Sequence, residues 1–358
     1  MKYLFDIGHP AHVHYFKNLM WALQKKGHKI RITARNKEIT LYLLNNYGFK
    51  YICTSKNRPS ILGKAISLIK NDYIIYKEAK KFNPDILISF FLPFSSHIGT
   101  LLKKPVLGFT DTEHATLNRF LSERFTNTIV TPLCYKNDLG TKQICFNGYM
   151  ELCYLHPNYF TPDPSILDTL DLRRDDKFVI LRFVSWGASH DIGHSGLSLE
   201  MKRTAVKEFS KYAKLFISSE GELPKDLKQY QIKISPERIH HVLYYATMYF
   251  GDGGTMASES AVLGTMAINV ATSAVHIGTF ADIAKYDLMH VIPNEGEALK
   301  KAIELLKDGE LKTETINKRG ELIASKIDVT AFMVWFVENY PASVNMMKSN
   351  PEYQYNFR

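Results

Sequence analysis

Phe250-Gly-Asp-Gly-Gly-Thr-Met-Ala-Ser-Glu-Ser-Ala-Val-Leu-Gly264 places a glycine turn between an apolar run and a helix-forming segment. The last residues of the run over 242–250 read as a short buried strand, residues 256–263 as a helix, and Met266-Ala-Ile-Asn-Val270 as the next strand. Strand, turn, helix and strand make a βαβ unit, with Gly253 and Gly254 at the handover. Glycines there permit φ > 0 and close approach of a ligand to backbone N–H groups. The positive end of the helix dipole then favours an anion, such as a phosphate, above the turn. Glu259, about one helical turn on, is within reach of a sugar hydroxyl beside that phosphate. A turn kept only for packing has the same sequence.

Outward from the turn, the second half alternates strand-like and helix-like segments from residue 178 to about 338. Residues 236–242, with Ile239 among them, are placed to hold a base through backbone groups. Residues 185–194, rich in small and polar side chains and including Trp186 and His190, follow a strand and are expected to line a ligand site. Three prolines at 157, 162 and 164 mark a linker. Before it the first half alternates in the same way, with strands expected at 3–7, 29–33, near 51, 86–91, 106–109, 127–131 and 143–146. Alternation of this kind predicts an α/β protein: two Rossmann-like domains facing a central cleft, with ligands at the carboxyl ends of parallel strands. The expected boundaries are 1–155, 165–340 and a tail over 341–358.

In the first domain, Asp6-Ile-Gly-His-Pro-Ala-His-Val-His14 puts three histidines on a loop after the first strand, ahead of a helix over 14–26. No acidic or cysteine partner completes a metal set locally, so no metal is expected. A histidine near neutrality at a strand end suits a general base, which selects His12, with His9 and His14 beside it. Asp111, Glu113 and His114 follow a later strand and are expected to face the same cleft, with Asp111 or Glu113 acting beside His12 in catalysis.

Residues 1–155 hold 22 Lys and Arg against 10 Asp and Glu, whereas the remainder is slightly acidic. This asymmetry predicts an anionic partner for the first half. Lysines and tyrosines over 56–81 suit peripheral contact with an anionic membrane, and the absence of a nucleic-acid motif argues against nucleic acid. The apolar stretch before Asp6 is too short for a signal peptide, and four cysteines without metal or CxxC spacing fit reduced thiols. A cytoplasmic protein, at most peripheral to the inner membrane face, is the expectation.

Residues 251–264 resemble, without a gap, the diphosphate-binding turn and helix of UDP-N-acetylglucosamine 2-epimerases. The resemblance puts Gly253, Gly254 and Thr255 on the phosphates and Glu259 on the uridine ribose. His12-Val-His14 with Gly27 is similar in spacing to the first loop and helix of the lipid-II-forming glycosyltransferase MurG, with His12 near the acceptor. Residues 105–119 resemble the acidic segment of both families. The whole chain is most similar to a GT-B-clan family of unknown function. Two departures, the histidine-rich first loop and Trp186-Gly-Ala-Ser-His-Asp191, set it apart from the epimerases. The resemblance therefore implies a metal-independent, inverting glycosyltransferase of surface polysaccharide synthesis. It would use a UDP-sugar donor, no cofactor and a glycan or lipid-linked acceptor, with UDP-sugar epimerisation or hydrolysis as the alternative.

Overall fold

The computed structural model describes residues 1–56, 61–113, 116–184 and 196–358, excluding the side chains of residues 55–70, 116 and 118. The chain forms two compact units, Met1–Tyr159 with Ile327–Arg358, and Phe160–Lys326. The first contains β1 (Lys2–Ile7), β2 (Lys29–Asn36), β3 (Ile52–Lys56), β4 (Ile86–Ser89), β5 (Val106–Phe109), β6 (Thr128–Pro132) and β7 (Gln143–Phe146). Their order is β3-β2-β1-β4-β5-β6-β7, and every neighbouring pair is parallel. The central strands β4, β5 and β6 are buried at every position, as covering a parallel sheet on both faces requires.

The second unit contains β8 (Phe178–Phe183), β9 (Lys214–Ser219), β10 (Met248–Gly251), β11 (Met266–Asn269) and β12 (Met289–Val291). They are parallel in the order β12-β11-β10-β8-β9. Leu181, Phe209, Phe250 and Ile268 belong to its apolar core, and the Phe209 and Phe250 rings meet edge to face at 5.1 Å.

Each sheet reverses its strand order once: between β1 and β4 in the first unit, and between β8 and β10 in the second. At such a point the loops leave in opposite directions and open a crevice beyond the carboxyl ends of the strands. The loop into His9 leaves β1, and the glycine turn leaves β10. Both expected sites therefore stand at the switch points of their own sheets.

Two expectations need correction. The first helix begins at Pro10 and runs to Lys25, so His12 and His14 belong to the helix and only His9 precedes it. Pro10 suits the first helical turn, where an N–H has no intrahelical partner, and His9 caps the helix by accepting the Ala11 N–H at 3.2 Å. The second correction concerns the end of the chain. Residues 327–358 belong to the first unit and are neither the close of the second domain nor a free tail. The helix Val329–Glu338 is apolar almost all round and must be buried on several sides. Phe332 lies 5.9 Å from Phe146, Met333 meets Cys153, and the Gln354 side chain accepts the Asn147 N–H at 2.6 Å. Among the described residues no helix is long and apolar enough to cross a membrane.

Candidate functional site

In the second unit, β10 ends at Gly251 and a helix runs from Gly254 to Val262, with Gly253 as its N-cap. Gly253 is extended at φ −86° and ψ 111°, and the glycines with left-handed backbone lie elsewhere, including Gly264 at φ +79°. The expected φ > 0 at the turn is not what selects glycine. A Cβ at Gly251 would run into the Arg182 carbonyl of β8, and one at Gly253 would stand 2.8 Å from the Arg182 side chain. These two glycines let β8 and β10 approach closely. The Gly253 N–H donates to the Tyr249 hydroxyl at 3.2 Å, and that hydroxyl donates to the Gly253 carbonyl at 2.7 Å. The intrahelical ladder starts with the Ala257 N–H on the Gly253 carbonyl. The N–H groups of Gly254, Thr255 and Met256 remain at the head of the helix, where the dipole is positive. Thr255 is exposed, so the head of the helix is open to an anion.

Asp252, within the same turn, is 3% exposed, and its carboxylate accepts the Val184 N–H at 2.9 Å and the Leu197 N–H at 3.1 Å. It thereby ties both ends of the segment that leaves β8 to the glycine turn. Trp186 and His190 belong to that segment and lie outside the described residues. Glu259 is buried and bonded to His240 Nε2 at 2.9 Å, and His240 itself is buried beside Phe160. The resemblance put Glu259 on a ribose; the structure adds the histidine that holds one of its two oxygens in place. Ile239 opens the helix Ile239–Tyr245, its N–H donated to the Pro236 carbonyl. Asp252 and His240 were the residues sequence reading missed. The only signals for them were an acid inside the turn and the His240-His241 pair.

In the first unit, His12 is 8% exposed, and its Nδ1 accepts the Gly8 N–H at 3.3 Å. Burial holds its pKa well below the ordinary value, and His9, Arg35 and Lys37 push the same way. The ring is therefore neutral, and with Nδ1 accepting, its proton sits on Nε2. In this tautomer the Nε2–H of His12 is a donor. His14 stacks on Tyr154 at 5.2 Å and meets Tyr47 edge on, which makes it part of the helix packing.

Asp111 follows β5, and burial raises its pKa to about 6, with the Glu113 charge adding to the rise and the Thr112 hydroxyl opposing it. That hydroxyl donates to Asp111 Oδ1 at 2.9 Å. Glu113 is buried, accepts the Lys136 N–H at 3.3 Å and, through its carbonyl, the Asn137 amide at 3.0 Å, so it anchors the loop after β6. His114 lies outside the described residues. Asp111 and His12 stand after strands that flank β4. Among the described residues no group of three or more His, Cys, Asp or Glu could hold a metal ion.

Solved structures share this architecture. UDP-GlcNAc 2-epimerase from Neisseria meningitidis, bound to UDP-GlcNAc, matches with a TM-score of 0.62 at 12% identity, covering 91% of this chain and 99% of that one. The spinosyn forosaminyltransferase SpnP matches with a TM-score of 0.64 at 14% identity, covering 96% and 99%. At these identities the likeness shows the fold, a pair of Rossmann-like units of GT-B type. An uncharacterized protein of Methanocaldococcus jannaschii is 24% identical over 270 residues, 72% of this chain and 78% of its own length. Residues 1–332 match the model of the family described as protein of unknown function, DUF354, and the chain belongs to that family.

Proposed function

We propose that the protein is a metal-independent, inverting glycosyltransferase that takes its sugar from a UDP-sugar and needs no cofactor. The observation that carries this is the open head of the helix Gly254–Val262, with Glu259 fixed by His240 one turn along. Three N–H donors and a helix dipole suit a diphosphate, and they stabilise it most as it departs with negative charge. The first unit supplies the acid–base chemistry. The acceptor hydroxyl gives its proton to the Asp111 carboxylate as its oxygen bonds to the anomeric carbon, and the bond from that carbon to the diphosphate breaks. His12, through Nε2–H, orients the acceptor or sugar. A glycan or lipid-linked acceptor of surface polysaccharide synthesis fits the basic first half.

The test is a panel of UDP-sugars examined by thermal shift, which reads any ligand that binds only the folded state, followed by product analysis with acceptor glycans. UDP released only with an acceptor supports transfer. A second reading, 2-epimerisation, draws on the raised Asp111 beside Glu113, a carboxylate pair able to handle a sugar's C2 proton. Appearance of the epimeric UDP-sugar without any acceptor would establish that reading instead.

The tautomer of His12 yields a graded series. His12→Phe removes the Nε2–H donor and should lose about 10²-fold in kcat, with UDP affinity unchanged. His12→Gln restores an N–H and should recover most of that loss. Equal inactivity of both variants would return the base role to His12.

Peripheral membrane contact from the cytoplasmic side is supported by exposed apolar residues on neighbouring helices. Tyr73 is 65% exposed, Leu101 65%, Leu117 59% and Phe120 81%, within a half of the chain rich in lysine. Phe120→Asp should abolish cosedimentation with phosphatidylglycerol vesicles and leave catalysis on a soluble acceptor intact. Binding of the unaltered protein to neutral vesicles as strongly as to anionic ones would remove electrostatics from the account.

A further inference from the structure

Arg35 stands near the carboxyl end of β2, beside the switch point of the first sheet, and takes no part in the proposed transfer. Its guanidinium lies over the Phe94 ring with the carbon 5.0 Å from the ring centroid. Nη2 occupies the place a Cβ on Gly8 would need, so the glycine before His9 makes room for it. Nε is buried without a hydrogen-bond partner. Among the described residues none of its N–H donors finds an acceptor. An arginine so placed is unusual, because buried polar groups are almost always paired.

Asp6, on the adjacent strand β1, is the carboxylate whose charge Arg35 feels, and it does not serve as its partner. It is 1% exposed and takes the Thr33 hydroxyl on Oδ1 at 3.0 Å, while Oδ2 is buried and unpartnered. Asp6 and Arg35 feel one another electrostatically but form no ion pair. Were Arg35 simply the counterion of Asp6, its fork would close on that bare oxygen. Burial instead pushes the guanidinium below its ordinary pKa and the Asp6 carboxyl up to about 6, and each group's charge offsets the other's shift only in part.

The surroundings add positive charge. Arg35 and Lys37 both act on His12, and the exposed Glu38 meets Lys37 at 3.4 Å and His9 at 3.9 Å without reaching Arg35. A planar guanidinium matches the oxygens of a phosphoryl group in a bidentate way, and a second cation suits a dianion better than a single carboxylate.

We propose that Arg35, supported by Lys37, binds a phosphoryl group on the ligand taken by the first unit. The ligand of that unit is thus a phosphorylated molecule, whether the reaction is transfer or epimerisation.

The experiment titrates inorganic phosphate, glycerol phosphate and acetate into the full-length protein by calorimetry, with and without saturating UDP to occupy the glycine turn. Phosphate and glycerol phosphate should bind in both cases and acetate should not. A clear preference for glycerol phosphate over free phosphate would identify a lipid headgroup as the source. Arg35→Gln should weaken phosphate binding about 10- to 100-fold, as expected for losing charge-assisted hydrogen bonds, without changing UDP affinity. Arg35→Lys should keep an intermediate affinity. Phosphate binding undiminished in Arg35→Gln, or displaced by saturating UDP, overturns the proposal. A purely structural role predicts a different pattern: Arg35→Gln would lose thermal stability, Asp6→Asn would restore it, and phosphate would bind neither the parent nor the variants.

Discussion

Asp111→Asn should leave a folded protein whose kcat is about 10²–10⁴-fold lower, the usual contribution of a positioned general base. The pH profile carries the stronger test. With its pKa raised to about 6, the Asp111 carboxyl is protonated below that pH and cannot accept a proton. Activity of the parent should therefore rise tenfold per pH unit up to about 6 and level off above it. The residual activity of the asparagine variant should show no such limb. Stability must move the other way. A carboxyl whose folded pKa lies above its unfolded value destabilises the fold once ionised. No effect is present below the unfolded value of 3.8, stability falls between there and about 6, and the loss persists at higher pH. At about 1.36 kcal/mol per unit the loss is at most about 3 kcal/mol. Asparagine removes it, so the variant should melt at a higher temperature than the parent at pH 8, with the difference gone near pH 4. An inactive variant that is also less stable at pH 8 would point to misfolding, and a fully active one would dismiss Asp111 as the base.

The strands were legible because a parallel sheet covered on both faces demands unbroken apolar runs, as in Val106–Phe109 and the Ile86-Leu87-Ile88 run of β4. Alternation implied parallel sheets with ligands at the carboxyl ends of their strands, but the strand order that puts the glycine turn at a switch point is set by tertiary pairing and is seen only in the structure. The helix start was misplaced because apolar spacing begins near Phe16, whereas His9 and Pro10 carry the N-terminal signal. What fixes glycine at 251 and 253 could not be read locally. The constraint is Arg182 on the neighbouring strand, and no pattern within the turn reveals it. Asp252 and His240 are of the same kind, since their partners Val184, Leu197 and Glu259 come from other segments. The helix Val329–Glu338 was plainly buried by composition, but composition does not say against which unit. Arg35 lies two residues past the expected strand over 29–33, in a stretch with no motif, and only its unpartnered Nε marks it out.

Gly254→Pro should weaken UDP binding by about one to two orders of magnitude while leaving the helix in place. The substitution is chosen from the backbone of the turn. Gly254 is the first helical residue, a position proline favours because its N–H makes no intrahelical bond. The residue before it, Gly253, is already extended at φ −86° and ψ 111°, as a residue preceding proline must be. A side-chain carbon at 254 meets only the Phe280 ring, at 3.3 Å and beyond, so a small shift of that ring accommodates it. What disappears is one N–H aimed at the proposed diphosphate, and a hydrogen bond to a charged group contributes about 1.5–3 kcal/mol. Gly254→Ala is the control, since it puts the same carbon against Phe280 and keeps the N–H. Glu259→Gln completes the set by retaining a bond to His240 and altering the charge offered to a ribose. The expected ranking by calorimetry is near-parent affinity for alanine and a large loss for proline, with circular dichroism unchanged in both. Alanine losing as much as proline would assign the effect to Phe280, and unaltered affinity in the proline variant would remove the diphosphate from this helix.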